Sequence, residues 1–290
     1  MNSNIFEFCI FSLFFVLFVG EMIARHLHLA DYILYTRSQE FGFMPQPNSS
    51  GVLRRRYRWR INSDGLRSDQ CRPVLQEGIL LVGDSIVEGG ATTDQSDTIS
   101  HHLASQTDRP IYPISASGWT LGNELAFLLH NPAFLVAGTC VIITNSEDLD
   151  NVNHWSNEAT HPTTTPQFQL LYLIKRVGWA LWYRLKEPTS SHGHDASVLP
   201  ADRADWQVSV KDFLSSFQGR LIWVLYPSRS ELASAVRPAE GLRSLIEGSV
   251  SVVDLIGYHD WTDACYRDRV HPNTHGRQVL SEVLARVLRP

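Results

Sequence analysis

The chain has 290 residues, of which 43% are hydrophobic and 19% charged, so it can form one large domain or two small ones, and its composition is not that of a disordered chain. Its formal net charge of -5 gives no reason to expect a nucleic-acid partner. Cys9, Cys71, Cys140 and Cys265 are widely separated and contain no CxxC pair, which argues against a disulfide framework and against a cysteine metal cage.

The first residues predict a membrane anchor. Residues 8–20 carry no charge, and the stretch from Ile5 to Ala24 is about 20 residues long, close to the span of a bilayer. Its uncharged core has the length of a signal-peptide segment, but no small-x-small cleavage site follows, so a retained anchor over residues 1–24 is favoured. Arg25 and Arg37 follow the segment and no Lys or Arg precedes it, a small bias that would place the rest of the chain in the cytoplasm.

Residues 25–77 are predicted to form an irregular connector with one short strand. From Arg56 to Ile61, arginines alternate with Tyr57, Trp59 and Ile61, which is the period of a strand with one buried face. We interpret the arginine side as a solvated face. The functional alternative is contact with anionic lipid headgroups or with a polyanionic glycan.

From residue 78 to residue 290, short apolar strands alternate with helices. The predicted strands are Gly78–Val82, Ile111–Ser115, Cys140–Thr144, Leu221–Tyr226 and Val250–Leu255, and the predicted helices are Thr98–Gln106, Asn123–Leu129 and Asn273–Leu288. This alternation is typical of an α/β domain in which helices cover both faces of a parallel sheet. An active site on such a sheet lies at the carboxyl ends of the strands.

Residues 149–205 interrupt this alternation. They contain a polar run, a helix predicted from Leu170 to Leu185 and a loop with His192 and His194. We expect the insertion to act as a lid or as a wall of an acyl pocket; packing of its helix on the core is the equally supported alternative. His192 and His194 have no partner cluster for a metal, so no metal site is expected.

Two separate motifs supply the parts of a nucleophilic hydrolase. Gly83-Asp84-Ser85 follows a predicted strand and would place the Ser85 hydroxyl at the start of a helix, with a helix cap formed by Asp84 as the structural alternative. Asp268 precedes His271 by three residues, close enough to orient its imidazole. Pro272 restricts His271 to an extended conformation, and Asn273 is predicted to cap the last helix.

Together these motifs resemble the SGNH/GDSL hydrolase family over residues 78–290. The resemblance implies a three-layer α/β/α sandwich with a five-stranded parallel sheet of flavodoxin-like type. It also implies that Ser85 is the nucleophile, His271 the base and Asp268 the group that orients the base. Gly118 matches the family's second block, so the Ser85 and Gly118 backbone N–H groups would stabilise the oxyanion. The resemblance implies no metal and no cofactor.

The family's third block, Gly-x-Asn-Asp, is altered in this chain. Its asparagine, an oxyanion donor, corresponds to Glu147, whereas Asn145 stands two residues earlier. An ionised Glu147 cannot donate and would repel the developing charge, so replacing it by Asn is predicted to raise activity. Three outcomes for the oxyanion site are open: Asn145 acts as the donor instead, burial keeps Glu147 protonated, or the site is impaired. Asn145 as nothing more than a cap of the strand end is a further alternative.

The segments Ala30–Tyr35, Phe41–Phe43 and Ile61–Arg67 also resemble the N-terminal part of a membrane-anchored branch of this family that is associated with surface polysaccharides. That resemblance implies a periplasmic catalytic domain and outweighs the charge bias. The chain is therefore predicted to be a membrane-anchored serine esterase acting on an acyl ester, such as an O-acetyl ester of a carbohydrate. The alternatives are an O-acyltransferase on a surface polysaccharide and a non-catalytic relative that binds a glycan or a protein partner.

Overall fold

The computed structural model describes residues 3–69, 75–186 and 206–289. Cys71, His192 and His194, with the whole loop predicted from Pro188 to Asp205, lie outside the described residues. Helix α1 spans Ser3–His26. Its stretch Glu7–His26 is long and apolar enough to cross a membrane, and 6% of the most apolar window is buried in the protein. An anchor and a signal sequence both have these properties.

Two antiparallel hairpins follow α1. Their strands are β1 (Tyr35–Ser38), β2 (Gly42–Pro45), β3 (Ser49–Leu53) and β4 (Tyr57–Ile61). The predicted alternation of β4 is confirmed, because Trp59 and Ile61 are buried while Arg58 and Arg60 are exposed. The prediction of a single strand in this segment is wrong: β1, β2 and β3 were missed because none of them has the strict alternation of apolar and polar residues that β4 has.

A five-stranded parallel sheet lies at the centre of the domain, as predicted. Its strands are β5 (Ile79–Gly83), β6 (Ile111–Ser115), β7 (Thr139–Thr144), β8 (Arg220–Leu225) and β9 (Ser251–Asp254). The spatial order is β6-β5-β7-β8-β9, so β5 lies between β6 and β7. Because all five strands are parallel, the loops after β5, β6 and β7 emerge side by side at one edge.

Helices cover both faces of this sheet. The helices after α1 are α2 (Ser85–Glu88), α3 (Ile99–Gln106), α4 (Leu121–His130), α5 (Gln169–Lys186), α6 (Trp206–Ser216), α7 (Arg229–Ser234), α8 (Glu240–Ile246) and α9 (Thr274–Leu288); of these, α5 contacts α1 instead. Leu80 and Val82 pack with α4, α6 and α8 on one face. Ile79 and Leu81 pack with α2, α3 and α9 on the other. The three-layer α/β/α sandwich is therefore confirmed.

Arg67 ties the N-terminal segment to the loop that follows α2. Its side chain is 2% exposed, and its guanidinium donates to the carbonyl oxygens of Glu88 (2.7 Å), Gly90 (2.9 Å) and Thr93 (2.6 Å). A planar group with five N–H donors can serve these separate acceptors at once, which a lysine ammonium cannot do.

Replacing Arg67 by alanine is therefore expected to lower the free energy of unfolding by about 3–5 kcal/mol, because three buried or partly buried carbonyl groups lose a charged donor. Thermal unfolding of the detergent-solubilised full chain measures this as a fall in the midpoint of about 10 °C. Arg58→Ala is the matched control, since the Arg58 side chain is 73% exposed and its loss should change stability by no more than about 0.5 kcal/mol. Equal effects of the two substitutions would contradict the assignment.

Candidate active site

Ser85 lies where β5 turns into α2, at the carboxyl edge of the sheet. Asp84 caps the short helix: its Oδ1 accepts the Ile86 N–H at 2.8 Å, as the structural alternative for this residue predicted. The cap fixes the turn at which Ser85 begins α2. The hydroxyl has two acceptors within reach, Asp84 Oδ2 at 3.1 Å and His271 Nε2 at 2.9 Å.

His271 is delivered to Ser85 by the loop before α9. Asn273 caps α9 as predicted, its Oδ1 accepting the Gly276 N–H at 2.9 Å. Upstream, the buried Tyr226 hydroxyl donates to the Val270 carbonyl at 2.7 Å, and the Arg229 N–H donates to the Arg269 carbonyl at 2.8 Å. These bonds hold both sides of the loop, so the His271 ring has a defined position next to α2.

Asp268 binds the other nitrogen of the His271 ring. His271 Nδ1 lies 2.9 Å from Asp268 Oδ1 and 3.1 Å from Oδ2, and the His271 backbone N–H also donates to Oδ1. Partial burial raises the pKa of Asp268, but the hydrogen bonds from the His271 ring and from the His271 and Val270 amides outweigh it, so the pKa lies well below its usual value. An ionised carboxylate only accepts, so Nδ1 carries the proton and Nε2 is left to accept from Ser85.

Gly118 follows β6 and lies beside the Ser85 loop. Its φ of +83° is in the left-handed region that favours glycine. The carbonyl oxygen of the preceding residue, Ser117, lies 2.7 Å from His161 Nε2. The carbonyl oxygen of Gly118 accepts from Asn153 Nδ2 at 2.8 Å. A trans peptide directs its C=O and N–H to opposite sides, so the His161 contact determines where the Gly118 N–H points.

The Ser117 side chain is also fixed. Its hydroxyl donates to Glu88 Oε2, and the Tyr35 hydroxyl donates to Glu88 Oε1 at 2.8 Å. Burial raises the pKa of Glu88, while the bonds from Ser117 and Tyr35 and the charge of Arg67 oppose this shift. The rings of Tyr35 and Phe43 flank His161, with centroid distances of 4.8 and 4.5 Å. The first hairpin is therefore part of the support of the Gly118 loop.

Asn145 directly follows β7, the strand on the other side of β5. Its Oδ1 accepts the Glu147 N–H at 2.7 Å and its Nδ2 donates to Asp148 Oδ2 at 2.7 Å, so it caps the 3-10 helix Ser146–Asp148. The capping alternative is thus present in the structure. An amide nitrogen carries two hydrogens, and the bond to Asp148 uses one of them. The donor role of Asn145 stays a prediction.

Glu147 binds Arg269 instead of standing unpaired at the site. Both of its carboxylate oxygens accept from the Arg269 guanidinium, and the side chains are 18% and 43% exposed, respectively. Arg269 immediately follows Asp268, so this pair connects the loop after β7 to the loop that carries His271. The positive guanidinium offsets the charge that was expected to repel an oxyanion, and this changes the expected effect of replacing Glu147.

Three buried carboxyl groups lie behind the nucleophile. Burial raises the pKa of all three groups, Asp84, Glu124 and Asp148. The pKa values of Glu124 and Asp148 are raised further by repulsion from the neighbouring carboxyl groups. Within the described residues, neither Glu124 oxygen has a hydrogen-bond partner. The shifts favour the neutral forms, so this group opposes negative charge at the site less than three carboxylates would.

Sequence reasoning missed His161 and Asn153. Both lie in the polar run between residues 151 and 169, which has no periodicity and no motif, and no local signal pointed to either. Both side chains bind carbonyl groups of the Gly118 loop, which lies more than thirty residues upstream in the sequence. A search for side chains able to bind the carbonyls around Gly118 would have required the fold first.

Replacing His161 by alanine is expected to lower kcat for ester hydrolysis about 10- to 100-fold with little change in KM, because the Ser117–Gly118 peptide would lose the donor that orients it. His161→Gln retains an N–H donor and should recover part of the rate. His130→Ala is the matched control, since the His130 ring also binds a backbone carbonyl, that of Ala126, but at the far end of α4. Unchanged kcat in a folded His161→Ala protein would show that the contact does not orient Gly118.

No group of three or more His, Cys, Asp or Glu side chains suited to a metal occurs within residues 3–69, 75–186 and 206–289.

No family model and no curated protein matches the chain. Solved structures with a similar chain layout include a lipase/acylhydrolase from Enterococcus faecalis, with 14% identity over 73% of this chain and 95% of that one and a TM-score of 0.41. They also include a psychrotrophic esterase from Pseudoalteromonas sp., with 13% identity, coverage of 72% and 94% and a TM-score of 0.42. A lipolytic protein of the G-D-S-L family from Veillonella parvula shares 14% identity over 73% and 97%, with a TM-score of 0.39. Similarities at this level assign no activity to this chain.

Proposed function

We propose that this chain is a serine esterase of the SGNH/GDSL type. One observation carries the proposal: the Ser85 hydroxyl lies 2.9 Å from His271 Nε2, while the Asp268 carboxylate binds Nδ1 of the same ring. The three residues come from two ends of the domain, and the arrangement is the one that activates a hydroxyl nucleophile. If Asp84 and Ser85 served only to cap a helix, no imidazole would be needed next to the Ser85 hydroxyl.

In the proposed reaction, Ser85 Oγ attacks the ester carbonyl carbon as its proton passes to His271 Nε2. Asp268 stabilises the resulting imidazolium through the Nδ1 hydrogen bond. Collapse of the tetrahedral intermediate breaks the bond to the alcohol, which takes the proton from Nε2. A water molecule then hydrolyses the acyl-Ser85 ester by the same steps, and free Ser85 is regenerated.

The oxyanion is proposed to bind to the backbone N–H groups of Ser85 and Gly118 and to the second amide hydrogen of Asn145. These residues follow β5, β6 and β7, three adjacent strands whose loops share one edge. Donors on separate rigid strand ends are already aligned when charge develops, which is the condition under which such groups contribute most to the rate.

We propose an acyl ester of a carbohydrate as the substrate and the periplasm as the location of the domain. The side chains of His271 and Asp268 are 32% and 45% exposed, and an open triad can accept a bulky alcohol such as a sugar. The N-terminal resemblance and helix α1 support a membrane-anchored protein. A reporter fused after Pro290 should be active only when exported; cytoplasmic activity would contradict this topology.

Turnover by the purified full chain in detergent tests the activity. We expect release of p-nitrophenol from p-nitrophenyl acetate and release of acetate from an O-acetylated polysaccharide. Transfer of acetyl to an added sugar acceptor in place of water would identify an acyltransferase that uses the same triad. Folded protein without acyl turnover of either kind would contradict the proposal and favour a binding protein.

Replacing Glu147 by glutamine is expected to lower kcat by up to about fivefold, since the lost ion pair frees the loop that carries Asp268 and His271. Arg269→Gln should have a similar effect, and the double substitution should cost less than the sum of the two in a double-mutant cycle. Asp69→Asn is the matched control, because it breaks the exposed Arg60–Asp69 pair of the N-terminal segment and leaves the loop that carries His271 untouched. A rise in activity in Glu147→Gln would restore the interpretation made from the sequence.

A further inference from the structure

Helix α5 has its apolar side chains on the outside of the protein. Leu171, Ile174, Val177 and Leu181 are 49–58% exposed and recur every three or four residues, so they lie along one face. Phe168, just before the helix, and Trp182 extend this face with exposures of 64% and 50%. This face therefore does not pack on the core of the domain.

The opposite face of α5 is the one that meets the protein, and it is polar and aromatic. Tyr172 is 9% exposed and its ring contacts Tyr32 at a centroid distance of 5.9 Å. The Arg176 guanidinium lies 4.2 Å from the centre of the Tyr32 ring and donates to the Tyr172 hydroxyl and to the Ala159 carbonyl. A helix surrounded by water would place its aliphatic residues inward and its arginine outward, because each buried Å² of apolar surface contributes about 25 cal/mol.

The start of α5 is attached to α1. Glu21 of α1 accepts the N–H groups of Gln169 and Leu170 at 3.1 and 2.8 Å, and Arg25 donates to the Gln167 carbonyl. Between the two helices lies an apolar groove of about 480 Å³, lined from one side by Phe14, Leu17 and Phe18 and from the other by Phe168, Leu171 and Ile174. The outward face of α5 is thus continuous with the apolar surface of α1.

We propose that α5 is an interfacial membrane helix whose outward face, from Phe168 to Trp182, enters the bilayer that α1 spans. Continuity with a segment of bilayer length identifies lipid as the occupant of this face. Amphipathic helices of this kind lie in the plane of the membrane with the apolar face at the boundary between headgroups and acyl chains. The proposal requires α1 in the membrane but does not depend on esterase activity. It implies that the catalytic domain is held against the bilayer by two attachments.

Lipid quenching of a fluorophore on α5 tests the proposal in the full chain. Cys9 and Cys71 are replaced by serine, and single cysteines are introduced as Ile174→Cys or Leu181→Cys and labelled with a nitrobenzoxadiazole dye; Cys140 and Cys265 are buried. Each protein is reconstituted into phosphatidylcholine vesicles that contain a minority of phosphatidylglycerol and a lipid with a nitroxide on the upper acyl chain. Glu282→Cys on α9, across the sheet, is the water-facing control. A label on native Cys9 of α1, in a protein that retains it, reports insertion of the anchor.

We expect the labels at 174 and 181 to be quenched by the nitroxide lipid about twofold more than the label at 282. Quenching at Cys9 without quenching at 174 or 181 would overturn the proposal, because α5 would then lie away from the lipid. Blue-shifted emission at 174 and 181 that the nitroxide lipid does not quench would also overturn it, by showing that protein, such as a second copy of the chain, covers the face.

Discussion

Replacing Ser85 by alanine is expected to lower kcat for hydrolysis of p-nitrophenyl acetate by about 10⁶-fold, and His271→Ala is expected to have an equal effect. Both follow from one geometry, in which the 2.9 Å contact between Ser85 Oγ and His271 Nε2 is the path of the proton. Because the two residues act as a unit, the double substitution should be no worse than either single one. Initial rates of the detergent-solubilised full chain measure these effects.

Asp268→Asn provides the graded comparison. Its amide can keep the ring in place but favours the wrong tautomer, so kcat should fall about 10⁴-fold. Ser96→Ala, which removes an exposed hydroxyl that donates to Asp94 Oδ1, should leave kcat unchanged. Additive losses in the Ser85→Ala, His271→Ala protein, or a rate in either single variant close to the wild-type rate, would contradict the triad.

Replacing Asn145 by serine is expected to lower kcat about 10²- to 10³-fold while leaving the fold intact, because serine keeps an oxygen for the cap but has no amide N–H for the oxyanion. The argument depends on the second hydrogen of Nδ2, since the first is bound to Asp148. Rates with p-nitrophenyl acetate and the thermal midpoint of the same preparation separate the two roles.

Asn145→Ala is the matched variant for this test. It should lose as much activity as Asn145→Ser but also about 1 kcal/mol of stability, the usual contribution of a helix cap. If Asn145→Ser retained wild-type kcat, Asn145 would be a cap alone, and the oxyanion would have to be stabilised by backbone donors.

Much of the sheet could be predicted from the sequence because each buried strand is a short, nearly continuous apolar run, such as Ile79–Val82 or Cys140–Ile143. The first three strands of the N-terminal segment could not, since each is short, none alternates regularly between apolar and polar residues, and their pairing is set by the partner strand. The orientation of the apolar face of α5 also could not be predicted. Periodicity shows that its apolar residues share a face, but not whether that face meets protein or lipid.

Some features of the candidate site could be predicted from the sequence and others could not. Ser85, Asp268 and His271 could be singled out because each has local context, a strand-to-helix turn or a spacing of three residues. The pairing of Glu147 with Arg269 could not, since the two residues are 122 positions apart and no motif links them. For the same reason the sequence suggested a repulsive role for Glu147, whereas the structure gives its carboxylate a cationic partner.

Covalent labelling by a fluorophosphonate tests the central claim most directly, since the probe reacts only with an activated serine hydroxyl. Peptide mass spectrometry of the labelled full chain should find the adduct on Ser85 in the wild-type protein and none in His271→Ala. A folded chain that stays unlabelled, or one that carries the adduct on a different serine, would contradict the assignment of Ser85 as a nucleophile.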